Sequence, residues 1–183
     1  MLKNAHTNLA EQHLPGKGTR DVPDQTLSAE QILAMLAAAP PRIAEISAGL
    51  APAQLHAAPA PGEWSANDVL AHLRACADVW GECIAEIIAR DHPTLRAINP
   101  TSWIANTGYR EQAFAASLAE FTAQRSELLA RLRPLAPAAW ARAATVVGAG
   151  RPLERTVLFY AQWLASHERT HLKQIGRVAG TAR

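Results

Sequence analysis

Trp163-Leu164-Ala165-Ser166-His167-Glu168-Arg169-Thr170-His171-Leu172-Lys173-Gln174-Ile175 carries a His-x-x-x-His pair inside a run with helical period. Residues four apart on a helix share one face, separated by about 6 Å of rise. Two imidazoles at that spacing can hold one metal ion from the same side. The face continues back through Leu164, Trp163 and Tyr160 and forward through Ile175 and Val178. That stripe is apolar, so the pair points into a core rather than into water. The helix is predicted to start between Pro152 and Thr156, to run to Val178 and to end at Gly180.

His167-Glu168-Arg169-Thr170-His171 also matches H-E-x-x-H, the helix motif of zinc proteases. Such a site needs a third ligand, which in most of those families lies downstream. Only 12 residues follow His171, and none is His, Asp, Glu or Cys. Gln174 and Arg177 stand where the longer pattern has its Gly and last His. Glu168 sits beside His167 on the helical wheel and points partly away from an ion held by the pair. A protease is therefore disfavoured, and the third ligand must come from upstream.

A helix from Ala66 to about Arg90 supplies it. Ser65 is the N-cap, with Asp68 at its third helical position, and Asp91-His92-Pro93 ends the run. Its stripe is Val69, His72, Cys76, Val79, Trp80, Cys83 and Ile87, with a histidine in the middle of the buried face. His72 is thus the best third ligand, and three neutral imidazoles leave an open site of catalytic type. Cys76, one turn on, can approach the ion, although a small apolar core residue is the plainer reading. Asp68 reads as a capping carboxylate.

The rest of the chain supplies two more helices. The first begins near Thr26 or Ser28, where Ser28 and Gln31 make a capping box, and carries Ile32, Leu33 and Leu36. Pro40-Pro41 is expected to break or kink it, with the stripe resuming at Ile43, Ile46 and Leu50. Pro52, Pro59 and Pro61 mark a connection. After a loop with Trp103, another helix is predicted from about Thr107 to Arg133, with Phe114, Leu118, Phe121, Leu128 and Leu132 inside. Residues 134–151 form a long connection with a short helix near 137–142 and a β-branched run at Thr145-Val146-Val147. Four amphipathic segments with no convincing strand pattern give an all-α four-helix bundle over 25–180. Residues 1–24 lack sustained periodicity and read as a flexible N-terminal tail, in which His6 and His13 have no preformed site.

Composition narrows the class. The chain has 183 residues, 49% of them apolar, and a formal net charge of +2 with no Lys/Arg cluster, which argues against nucleic acid. Cys76 and Cys83 lie about 10 Å apart along one helix, too far for a disulfide, and free thiols fit a reducing cytoplasmic setting. No run is long and apolar enough to span a membrane or to serve as a signal core. The residues leave a homodimer open.

Pro61-Gly62-Glu63-Trp64-Ser65-x-x-Asp68-Val69-Leu70-x-His72-Leu73, followed far downstream by His167-x-x-x-His171-x-x-Gln174-Ile175, resembles the DinB-like superfamily. The resemblance spans about Leu27 to Val178. It implies an up-down-down-up bundle with a divalent metal, commonly nickel or zinc, on His72, His167 and His171. These are the residues that the facing stripes also select. Members include thiol-dependent S-transferases and a maleylpyruvate isomerase that use mycothiol or bacillithiol, and others resemble metal-dependent hydrolases. The resemblance thus implies a small-molecule substrate and, for a transferase, a low-molecular-weight thiol held as its nucleophilic thiolate. A hydrolase would instead activate water. No catalytic side chain is assigned; the alternative is a non-catalytic bundle with a structural metal or a small-molecule binding role. Trp64, Trp80, Trp103 and Trp163 read as core packing before they read as pocket walls.

Residues 1–24 offer too little apolar surface to offset the entropy of ordering them. A truncation starting at Gln25 is therefore expected to keep the thermal midpoint of the full chain within a few degrees, measured by circular dichroism.

Overall fold

The computed structural model describes residues 26–180, so the segment 1–24 read as a tail lies outside the described residues, as do His6 and His13. Four long helices form the body: α1 (Ala29–Ser47), α3 (Ala66–Ala89), α5 (Phe114–Leu132) and α6 (Val157–Val178). Short helices α2 (Pro52–His56) and α4 (Pro100–Trp103) lie in the connections. So do strands β1 (Thr94–Arg96), β2 (Ala143–Val147) and β3 (Leu153–Thr156).

Contacts between numbered residues give the helix directions. Trp80 meets Trp163 and His72 meets His171, so α3 and α6 are antiparallel. Arg74 reaches Ser117 and Gln124 reaches Asp78, so α3 and α5 run the same way. Leu27 N–H donates to Gln162 at 3.1 Å, while Ile43 and Ile175 share a cluster at the other end, so α1 and α6 are parallel. The result is an up-down-down-up bundle in which α6 and α5 each pack on both α1 and α3. Parallel α3 and α5 need a connection that returns along the bundle. That segment is pinned to α3 by Asn67 Nδ2 donating to the Arg110 carbonyl at 2.9 Å and by Tyr109 donating to Asp78 at 2.7 Å.

The starts of α1 and α3 follow their caps. Ser28 accepts from Gln31 N–H while Gln31 accepts from Ser28 N–H, and Ser65 and Asp68 do the same for α3. Asp68 is thus the capping residue expected of it. Thr156 caps α6 through Phe159 N–H at 3.0 Å.

Two local expectations are corrected, and the choice left open at Pro40-Pro41 between two short helices and one is decided for one. Pro40 and Pro41 do not break the first helix, which runs unbroken through both. Leu36, Ala39, Pro40 and Ile43 are buried on either side of the pair, and that packing outweighs the two lost amide donors. The third long helix starts at Phe114 rather than near Thr107. Thr107 is extended, with its hydroxyl donating to the Ile104 carbonyl at 2.8 Å, so it closes the turn at Ile104–Asn106 instead of opening a helix. The chain also contains a small sheet of order β1-β2-β3, β1 parallel and β3 antiparallel to β2. Its strands are three to five residues long, too short to show a period, and Ala144 anchors its inner face in the core.

Pro41 is exposed and contributes no packing that an alanine would lose. Pro41→Ala restores an amide donor to the Ala37 carbonyl, and should raise stability by about 1–2 kcal/mol after allowing for the looser unfolded chain. Urea denaturation measures the difference.

Candidate metal centre

Because α3 and α6 are antiparallel, the first half of one faces the last half of the other. His72 Nε2 lies 3.3 Å from His167 Nε2, and His171 Nε2 lies 3.2 Å from the same atom. All three rings are buried, at 2%, 8% and 6% exposure. The carboxamide oxygen of Gln174 accepts from the Nδ1–H of His171 at 2.8 Å, which leaves Nε2 with its lone pair directed inward. Indoles enclose the cluster. Between ring centroids, Trp64 lies 5.1 Å from His72 and stacks at 6.4 Å on His171, Trp80 stands perpendicular to His167 at 5.2 Å, and Trp163 stacks on His167 at 6.4 Å. Three of the four tryptophans read as core packing therefore wall the imidazoles.

The spacing suits a metal. Two nitrogens bound to one tetrahedral ion at about 2.0–2.1 Å stand about 3.3–3.4 Å apart. An ion is also the one occupant that can accept a lone pair from each imidazole at once. Cys76 adds a fourth candidate donor: its sulfur, with His72 and His167, makes a group whose ligating atoms lie within 4.8 Å of one another. Its Sγ is 3.5 Å from His72 Nε2 but also 4.0 Å from Nδ1. The sulfur thus flanks the ring rather than standing ahead of Nε2, where a ligand to the same ion would be. Burial, reinforced by the Glu168 carboxylate, pushes the Cys76 thiol well above the usual thiol range.

With this geometry in view, comparison with known proteins is decisive for the family. The model of the DinB superfamily matches residues 35–175. The chain belongs to the DinB superfamily. Among solved structures it is similar to YfiT from Bacillus subtilis, described as a probable metal-dependent hydrolase with an unusual four-helix bundle topology. The likeness covers 87% of this chain and 93% of that one, with a TM-score of 0.65 and 20% sequence identity, and it shows a common fold. No curated protein sequence matches the chain significantly.

In this DinB-superfamily chain, Glu168 does not face the imidazoles. It is 1% exposed and ion-paired with Arg125 of α5, itself 1% exposed. Burial raises the Glu168 carboxyl to about 7 even with the guanidinium beside it. A carboxylate held in this way cannot serve as the base that H-E-x-x-H supplies in a protease. Arg125 and the orienting role of Gln174 escaped the sequence reading. Both left a trace: the stripe Phe121, Leu128, Leu132 lacks an apolar residue at 125, and Gln174 lies one turn beyond His171.

Arg125→Met would leave the Glu168 carboxyl buried without its partner and drive it to its neutral form, at an expected loss of about 3–5 kcal/mol. Adding Glu168→Gln should recover much of that loss, and a double-mutant cycle by urea denaturation measures the coupling.

Proposed function

We propose that this protein is a divalent-metal-dependent enzyme acting on a small molecule, either a hydrolase or a thiol-dependent S-transferase. His72, His167 and His171 are its metal ligands, and nickel or zinc is the metal. The observation that carries this reading is the convergence of the Nε2 atoms at 3.3 and 3.2 Å inside an aromatic wall. Membership of the DinB superfamily and the description of YfiT as a probable metal-dependent hydrolase support it.

His72, His167 and His171 would hold the ion and leave it open to an exogenous ligand, and it would supply Lewis-acid chemistry there. The chain's own residues prepare that site. Gln174 fixes the tautomer and tilt of His171. Arg125 draws Glu168 out of the ligand field, so the donor set stays neutral and the ion keeps its full charge. Trp64, Trp80 and Trp163 exclude bulk water around the imidazoles and strengthen electrostatic interactions there. Cys76 is fully buried, so its sulfur has no open path along which to attack a substrate.

The low exposure of the imidazoles favours a second reading, a bundle with a structural ion. Metal dependence of a reaction separates the two. Hydrolysis of activated esters, and transfer of a low-molecular-weight thiol to an electrophile, should proceed in metal-loaded protein and stop on chelation. Equal rates in both samples would rule out metal-centred chemistry.

His72→Ala is expected to remove most bound metal while the helical spectrum persists, and His171→Ala should do the same. Cys76→Ser should leave metal content unchanged. Elemental analysis of the purified variants measures each outcome, and full metal retention in His72→Ala would overturn the ligand assignment.

A further inference from the structure

Further along the seam between α3 and α6, a pocket lies between the bundle and the small sheet. Val79, Trp80 and Cys83 of α3 and Tyr160 of α6 line its bundle side. Arg96, Ala97, Ile98, Val146, Ala149, Arg151, Leu153 and Arg155 line its sheet side. Three of these residues are arginines and none is acidic. None of the three forms an ion pair with a carboxylate among the described residues, whereas the carboxylate of Glu154 engages His92 and Thr145. Three guanidinium groups and no carboxylate therefore border one concave, largely apolar surface.

The sheet explains how they gather. Register pairs Val146 with Leu153 and Ala144 with Arg155, so Arg155 and Leu153 share the face that Ala144 turns to the core. Arg155 is steadied by the Phe159 ring, 4.3 Å from its guanidinium carbon. Gly148 and Gly150, at φ +94° and +97°, make the turn that sets Arg151 at the rim. Ile98, 44% exposed and the one large hydrophobic that stands out to solvent among the described residues, lies at the same pocket. An uncompensated positive rim over an apolar floor calls for a ligand with both characters.

We propose that this pocket binds a small amphipathic anion, its carboxylate or phosphate head on Arg151 and Arg155 and its apolar body against Trp80, Val146 and Ile98. The inference goes beyond the proposed metal chemistry and does not require it. The pocket nevertheless borders the imidazole cluster, because the indole of Trp80 that lines it also meets His167 edge-on at 5.2 Å.

The test is calorimetric titration of the full chain at low ionic strength with hexanoate and with hexyl phosphate, using hexanol as the uncharged control. Saturable binding of one or both anions is expected, and the tighter of the two identifies the head group. Arg151→Ala with Arg155→Ala should weaken it by roughly tenfold or more, since charge-assisted contacts are lost. Arg151→Lys with Arg155→Lys should retain part of the affinity, which keeps the test valid if the alanine pair fails to fold. Arg131→Ala with Arg133→Ala, remote and exposed, should leave binding unchanged, and His72→Ala should also leave it unchanged. No saturable binding of either anion, hexanol binding as tightly, survival of binding in the Arg151/Arg155 alanine pair, or equal loss in the remote arginine pair would overturn the proposal. Loss in His72→Ala would overturn it as well, by moving the anion to the imidazoles.

Discussion

The ion pair between Arg125 and Glu168 is the constraint around which this bundle is arranged. Successive residues on a helix project about 100° apart. A helix that turns His167 and His171 towards α3 therefore turns Glu168 towards α5, into the protein interior. An isolated carboxylate there is strongly disfavoured, and a guanidinium from α5 offsets much of that desolvation. The pair lies at the level where the core divides. On one side pack Ile32, Leu36, Trp80, Leu128 and Leu164; on the other pack Ile43, Leu70, Leu73, Phe121 and Ile175. Between them runs a layer of polar side chains: His72, Arg125, His167, Glu168 and His171. The interior is thus two apolar clusters joined across a charged and imidazole-bearing seam.

That seam depends on helix direction. Antiparallel α3 and α6 bring an early turn of one beside a late turn of the other, so a histidine after a capped start meets a pair near a helix end. Parallel α3 and α5 place Arg74 near Ser117 and Asp78 near Gln124, so the polar groups of α3 that do not face the imidazoles find partners on α5. The long return segment that this topology demands carries β1, and residues 133–156 carry β2 and β3. The sheet is therefore a product of the connections, assembled where two of them end beside the bundle.

Much of this was legible in the sequence because it is periodic. The buried stripes of α3 and α6 and the caps at Ser28 and Ser65 were readable, and the structure brings His72, His167 and His171 to one point. What escaped is what periodicity does not encode. The strands are shorter than any repeat they could display. The two prolines of α1 are overruled by burial that depends on α5 and α6, which a local rule cannot see. Thr107 begins an apparent helical run but is committed to the turn before it. Arg125 appeared as a gap in a stripe, and its meaning depended on a glutamate 43 residues away.

The imidazoles that meet across the seam lie 95 residues apart in the chain. Closing a loop of that length carries an entropic cost that grows only with the logarithm of its length, but it must be met before the contact exists. Of the three imidazoles proposed as ligands, only those of His167 and His171 are brought together by local helix formation, and a two-imidazole site is weak. On that proposal, strong capture of an ion waits until α6, the last helix, has docked against α3. An ion held there would act as a late lock on a bundle that has already chosen its topology, favouring the closed state by mass action instead of guiding the chain towards it.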